Sequence, residues 1–358
     1  MIKEFEHIIQ NNFPFLKGKK LLIAISGGID SVVLTYILHQ LKFNISLAHC
    51  NFHLRGIDSD SDQQFVSKMA SALNIPCYIM HFDTKEYAKN HKLSIQEAAR
   101  KLRYEWFEKI RQEQQLDYIL TAHNLNDSLE TFLINLSRGT GLKGLTGINN
   151  INKKIIRPLS SFSRAEILTF AHKNKIDWRE DKSNANTKYT RNKIRHQVIP
   201  VLQEINPNLL ETFKQTLENL QGSEDIVRDT VKRLRVENIE KRIERKEDGK
   251  QTSFNIQLLN QQIKTNPKAY LHEIFSPYGF HNITDIEQLL TAQSGKQVFS
   301  KTHRLIKDRA FLLLVENREE KTVQRIEISE NDEKFNIQNL QFTIQHSPFN
   351  NHHSTLKI

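Results

Sequence analysis

The chain is 358 residues long, enough for two or three domains with buried cores of their own. It carries 51 Lys and Arg against 41 Asp and Glu, and the resulting charge of +10 favours a polyanionic partner such as nucleic acid over an acidic protein surface. The two cysteines, Cys50 and Cys77, form no C-x-x-C pair, which excludes a disulfide framework and a cysteine-built zinc site.

The N-terminal MIKEFEHIIQNNF sets charges among its apolar positions and lacks the apolar core of a leader. No later run approaches the ~20 apolar residues of a bilayer span, so a cytoplasmic protein with no membrane association is expected. From residue 19 to about 180, short β-rich runs (KLLIAIS, NISLAHC, PCYIMHF, DYILTAH, KIIRPL) alternate with longer helix-like stretches. That rhythm predicts an α/β domain, a parallel sheet with helices on its faces.

The first run leads into Ser26, Gly27, Gly28, Ile29, Asp30 and Ser31. Glycines between a strand and a helix permit a tight turn that gathers N–H groups at the positive end of the helix, an arrangement that binds an anion such as phosphate. A carboxylate at Asp30 fits beside a phosphate if a magnesium ion (Mg2+) lies between them; the plainer alternative is a simple strand-to-helix turn with Asp30 placed for the helix dipole. The loop is neither G-x-x-x-x-G-K-[ST] nor G-x-G-x-x-G.

The second run ends with His49, Asn51, His53 and Arg55 on the edge where open α/β sheets bind ligands. Two histidines without a third and fourth ligand read as turn polarity or substrate contact rather than as a zinc site. Further on, Ser94-Ile95-Gln96-Glu97 is a capping box opening a helix with apolar Ala98, Leu102, Trp106 and Ile110. Arg100, Arg103 and Tyr104 share its other face, which suits phosphate or base contact or a solvated surface.

After the fourth run come His123, at a strand end, and Asp127 and Glu130, one helical turn apart. The acids read either as a capping box begun by Asp127 or as a seat for a cationic second substrate. The texture changes near residue 205. A first domain is expected over 1–205, a helical and α+β domain over 206–320, and the start of a small, truncated C-terminal domain over 327–358.

S-G-G-x-D-S after a first strand resembles the ATP pyrophosphatase (PP-loop) family, whose members split ATP between the α and β phosphates and adenylate a carbonyl or carboxyl oxygen. Together with the two later motifs and DKSNANTKYTRNKIRHQVIPVLQEINP (181–207), it resembles the tRNA(Ile)-lysidine synthetases over roughly residues 19–207. The likeness continues weakly through SGKQVFSKTHRLIKDRAFLLL.

That resemblance implies a Rossmann-like PP-loop domain using ATP and Mg2+, with tRNA(Ile) bearing a CAU anticodon and free L-lysine as substrates. It implies that Ser26, Gly27, Gly28, Ile29, Asp30, Ser31, His49, Asn51 and Arg100 hold ATP, with Asp30 on the metal. Asp127 and Glu130 would hold lysine, either acting as base, and His123 would contact ATP or the adenylated cytidine. Arg103, Tyr104, Arg191, Asn192 and Arg195 would reach tRNA or the nucleotide. A thiolase of the same superfamily would need cysteine pairs or an iron-sulfur cluster. A tRNA binder without catalysis would gain nothing from acids at its ligand edge. The sequence leaves the oligomeric state open, a homodimer being the assembly considered.

Overall fold

The computed structural model describes residues 1–180, 190–238, 251–317, 334–337 and 340–343. The chain forms two compact units, Met1–Asp229 and Thr230–Ile358. The first begins with α1 (Ile2–Asn12), β1 (Lys20–Ala24), α2 (Ile29–Gln40), β2 (Asn44–Asn51), α3 (Ile57–Ala72) and β3 (Cys77–His81). It continues through α4 (Thr84–Asn90), α5 (Ile95–Glu113), β4 (Tyr118–Leu120), α6 (Leu125–Arg138), α7 (Leu142–Leu145), β5 (Ile151–Asn152), β6 (Ile155–Ile156) and α8 (Arg164–Lys173).

The strands lie in the order β3-β2-β1-β4-β6-β5, parallel except for the short β5–β6 pairing. A parallel sheet is covered on both faces, so its central strand is apolar throughout rather than alternating. In β1, Leu21 and Ile23 join the core under α1, α2 and α8, while Leu22 faces the opposite way into a core with Ala48, Trp106, Phe107 and Ile110. Ser94 and Glu97 form the expected reciprocal cap of α5.

The sheet grows from β1 outward to β3 and then restarts on the other side with β4. A reversal of this kind leaves a crevice at the C-terminal ends of the two strands beside it, here β1 and β4. Beyond the sheet, α9 (Thr190–Lys193) passes through a π turn at Ile194–Val198 into α10 (Ile199–Ile205), followed by α11 (Leu209–Asn238). Pro200 has no N–H to offer the carbonyl four residues earlier, and the Ile199 N–H instead reaches back five residues to Ile194. Ile194, Ile199, Phe213 and Leu217 pack on Leu125 and Leu129 of α6.

The second unit holds β7 (Gln251–Asn255), α12 (Ile256–Gln262), α13 (Pro267–Phe275), α14 (Ile283–Thr291), β8 (Gln297–Phe299), β9 (His303–Asp308) and β10 (Phe311–Glu316). Its sheet is antiparallel, ordered β7-β10-β9-β8, and Phe254, Phe275 and Phe280 pack edge to face in its core. A separate hairpin joins β11 (Lys334–Ile337) and β12 (Leu340–Thr343). The expected C-terminal unit otherwise lies outside the described residues.

Phe162 couples the core to the ligand edge. Its ring is fully buried and stacks with Phe5 at 6.3 Å, and its carbonyl accepts the N–H of Leu125, the first residue of α6, at 2.9 Å. Phe162→Ala is expected to cost about 3–5 kcal/mol, as large-to-small changes at buried aromatics do. Urea unfolding followed by far-UV circular dichroism measures that loss.

Candidate functional site

The turn after β1 is built by its own side chains. Gly27 has a φ of +89°, a conformation that side chains with a Cβ rarely adopt, and Gly28 caps α2. The Ser26 hydroxyl accepts the Gly28 N–H at 3.2 Å, and Ser31 Oγ accepts the Ser26 N–H at 3.2 Å while donating to the Gly28 carbonyl at 2.9 Å. Ile29 is buried beneath them. Arg179 closes over the turn: its N–H donates to the Gly27 carbonyl at 2.9 Å, and its guanidinium joins that of Arg55 on Asp62.

Asp30, in the first turn of α2, faces the crevice between β1 and β4. Its Oδ1 accepts from the Asn124 amide at 3.1 Å, and its Oδ2 pairs with Arg164 at 3.1 Å. Burial raises its pKa, and the carboxylate of Asp127 raises it further, against the lowering by Arg164 and Asn124. Asp127 is not the N-cap that its spacing to Glu130 offered. Asn124 caps α6, accepting the Asp127 N–H at 3.1 Å, and Asp127 Oδ2 accepts the Asn124 N–H at 3.0 Å.

Glu130 is only 1% exposed, and two guanidiniums answer its charge. Arg195, on the π turn, donates to both carboxylate oxygens at 2.6 and 3.1 Å, and Arg191 lies 3.0 Å from Oε2 while bonding Thr131 at 2.9 Å. Arg195 also comes within 3.7 Å of Asp127. Asn192 sits between them on α9. Burial raises the Glu130 pKa and the arginines oppose it.

His123 stands where β4 ends, its Nδ1 2.9 Å from the Thr121 hydroxyl. Burial pushes its pKa down to about 4, with Asp127 opposing and the cations Arg157, Arg191 and Arg100 adding to the fall. Arg100 lies 5.0 Å over the ring of Tyr104, and burial lowers the pKa of Arg157 while Tyr104 beside it acts the other way. Arg157 is 5% exposed, and its Nε is buried with no hydrogen-bond partner among the described residues. A neutral imidazole ringed by three guanidiniums suits an anionic ligand.

The remaining expected residues lie on the β2 side of the crevice. His49 is buried with Nδ1 3.0 Å from the Ile25 carbonyl, which fixes the backbone just before the turn. Asn51 is buried and donates to Asp60 and Gln63, both at 2.9 Å. Arg103 turns away from Tyr104 and lies 5.2 Å over Phe52. Sequence reasoning missed Asn124, Arg157, Arg164 and Arg179. Asn124 had a signal in its capping-box spacing to Asp127, and Arg157 in being the residue after the strand in KIIRPL and hence on the ligand edge.

Residues 1–202 match the family model described as a PP-loop domain, and residues 247–317 that of a TilS substrate binding domain. Fold and site therefore define a PP-loop protein. The tRNA(Ile)-lysidine synthase of Bacteroides thetaiotaomicron is 40% identical over 308 residues, covering 86% of this chain and 70% of that one. That of Porphyromonas gingivalis is 38% identical over 299 residues, covering 82% and 63%. The chain belongs to the tRNA(Ile)-lysidine synthase family, and its matches span about two thirds of the length of these relatives. Among solved structures, the U34-tRNA thiolase NcsA from Methanococcus maripaludis is similar with a TM-score of 0.49 and 20% identity, covering 61% of this chain and 78% of that one.

Two outcomes follow from the buried charges. His123 is neutral when folded down to about pH 4 but protonates near 6.5 when unfolded, so the unfolded chain binds the extra proton between those values. Its contribution is whole above pH 6.5 and is lost as pH falls toward 4. Stability should drop by on the order of 1 kcal/mol more between pH 7 and pH 5 in the wild type than in His123→Gln, read by denaturant unfolding at both pH values. Glu130→Ala strands two guanidiniums and should cost about 3 kcal/mol, with faster amide exchange at 190–198 detecting release of the arginine helix.

Proposed function

We propose that the chain joins free L-lysine to the wobble cytidine of the tRNA(Ile) that carries a CAU anticodon, at the expense of ATP. The observation that carries this reading is the pair of carboxylates, Asp30 and Asp127, held across the crevice beside a glycine turn built for a polyphosphate. An RNA-binding surface alone would be weakened by such a pair.

In this reading the N–H groups of the Ser26–Ser31 turn and the N-terminus of α2 bind the phosphates of ATP. The cytidine O2 bonds to the α phosphorus as the bond to the β phosphate breaks and pyrophosphate leaves. The lysine ε-amine then bonds to C2, the C2–O2 bond breaks, AMP departs with that oxygen, and the amine loses a proton. Arg100, Arg157 and His123 border the space where negative charge moves, and preorganised donors there stabilise it without rearrangement.

Lysine must shed a proton, since its ordinary pKa is about 10.4. Glu130 is already engaged by Arg191 and Arg195, so Asp127 is the acid better placed to seat the ammonium, and Glu130 acts by holding the arginine helix against α6. The chemistry of Asp30 and Asp127 also suits magnesium, which takes one or two carboxylates and completes its shell with phosphate oxygens and water. Among the described residues no group of three or more His, Cys, Asp or Glu forms a cage of its own, in keeping with a cation held largely by its nucleotide. Bound there, the ion would neutralise the departing pyrophosphate.

Sulfur transfer is disfavoured by the thiols themselves. Burial pushes Cys50 up to about 12 and raises Cys77 as well, leaving neither as a thiolate at neutral pH. Incubation with tRNA(Ile) transcript, ATP-Mg and labelled lysine should place label in the anticodon loop and release AMP and pyrophosphate in equal amounts. Asp127→Asn should lower incorporation by about a hundred-fold, the scale of losing one charged group aligned with the reacting atoms. Binding of tRNA without any label transfer would reject the ligase reading.

A further inference from the structure

The ends of β2 and β3 form a second feature on the ligand edge that the reaction above does not use. Asn51 and His81 are register partners, and the Phe82 N–H donates to the Asn51 carbonyl at 2.9 Å. The next residues therefore emerge side by side. The rings of Phe52 and Phe82 stack at 5.4 Å with 21° between planes, and those of His53 and His81 at 5.0 Å with 18°. These four rings, with Asp83, Thr84 and Lys85, line a cavity of about 390 Å³.

From this geometry we infer a second RNA subsite, one that stacks an unpaired nucleobase of the substrate tRNA; the inference rests on the RNA-modifying reading above. A purely apolar ligand would have no use for two imidazoles, and a bare phosphate none for two phenyl rings. A flat heteroaromatic ring with hydrogen-bonding edges uses both. His53 Nε2 and His81 Nδ1 share one hydrogen bond of 2.8 Å, which leaves Nε2 of His81 for a base edge. Arg103, 5.2 Å over Phe52, supplies a guanidinium at the rim for the phosphate of the same nucleotide.

The cleft is also built at a cost. His53 has a φ of +49°, unfavourable for a residue with a side chain, and the conformation is held by Asn51, whose Oδ1 accepts the His53 N–H at 3.0 Å. Asn51 is itself locked by Asp60 and Gln63. Behind the cleft, Trp106 meets Phe82 edge-on at 6.1 Å and keeps the stacked pair in place. Backbone held in an unfavourable region by its surroundings is a mark of binding sites.

The test uses the full chain and tRNA(Ile) transcripts that each carry one abasic nucleotide in the anticodon loop, with affinities measured by filter binding. One abasic position should weaken wild-type binding by about 5- to 150-fold, the range for loss of one stacked base. In His81→Ala that penalty should fall below about two-fold, the intact transcript should bind correspondingly more weakly, and ATP affinity should stay unchanged. Phe52→Leu, which keeps an apolar side chain, should give the same pattern, with thermal melts checking that both variants fold. A penalty that persists in both variants, or an equal loss of ATP affinity that makes the cleft an adenine pocket, would overturn the inference. If the wild type neither binds nor modifies the tRNA, the functional reading fails and this one with it; modification with an unchanged abasic penalty in the variants sinks the subsite alone.

Discussion

Two carboxylates can face each other in a half-buried crevice only if something holds them there, and Asn124 does so for Asp30 and Asp127. Its amide nitrogen donates to Asp30, its amide oxygen accepts the Asp127 N–H, and its own N–H donates to the Asp127 carboxylate. One side chain thus caps α6, ties the end of β4 to the start of α2, and sets the separation of the acids. For Asp30 the hydrogen bond from Asn124 favours the ionised form, whereas burial and the neighbouring Asp127 charge oppose it.

From the same point the charges alternate along the ligand edge. Arg164 meets Asp30, Asn124 links Asp30 to Asp127, Arg195 touches Asp127 and grips Glu130, and Arg191 completes the row. Glu130 is nearly fully buried and two guanidiniums answer its charge, whereas Arg164 and Arg191 keep about half of their side chains exposed. The row also shows how a chain of net charge +10 holds acids along its ligand edge.

Much of this was legible in the amino-acid sequence because it is local. The glycine turn, the Ser94 cap and the strand–helix alternation each depend on residues within a few positions of one another, where propensity and spacing act directly. The site depends on contacts across long separations: Arg164 to Asp30 spans 134 residues and Arg195 to Glu130 spans 65. No spacing rule reaches that far. The cap of α6 failed for a different reason, since Asn124 and Asp127 satisfy the same pattern as Asp127 and Glu130, and only the end of β4 decides between them. The π turn was hidden as well, although Pro200 was its available signal.

Helix α5 joins the two halves of the ligand edge. Arg100 and Tyr104 lie near Arg157 and His123 by the ends of β4 and β6, while the half-buried Arg103 lies over Phe52 at the end of β2. The opposite face, through Trp106, Phe107 and Ile110, is buried against the sheet, which fixes the backbone positions of Arg100 and Arg103 relative to each other. One segment therefore links the stacked rings of Phe52 and Phe82 at one end of the ligand edge to the charged cluster at the other. That link follows from the amphipathic pattern of a single helix, which buries one face in the sheet and leaves the cations of the other at the strand ends.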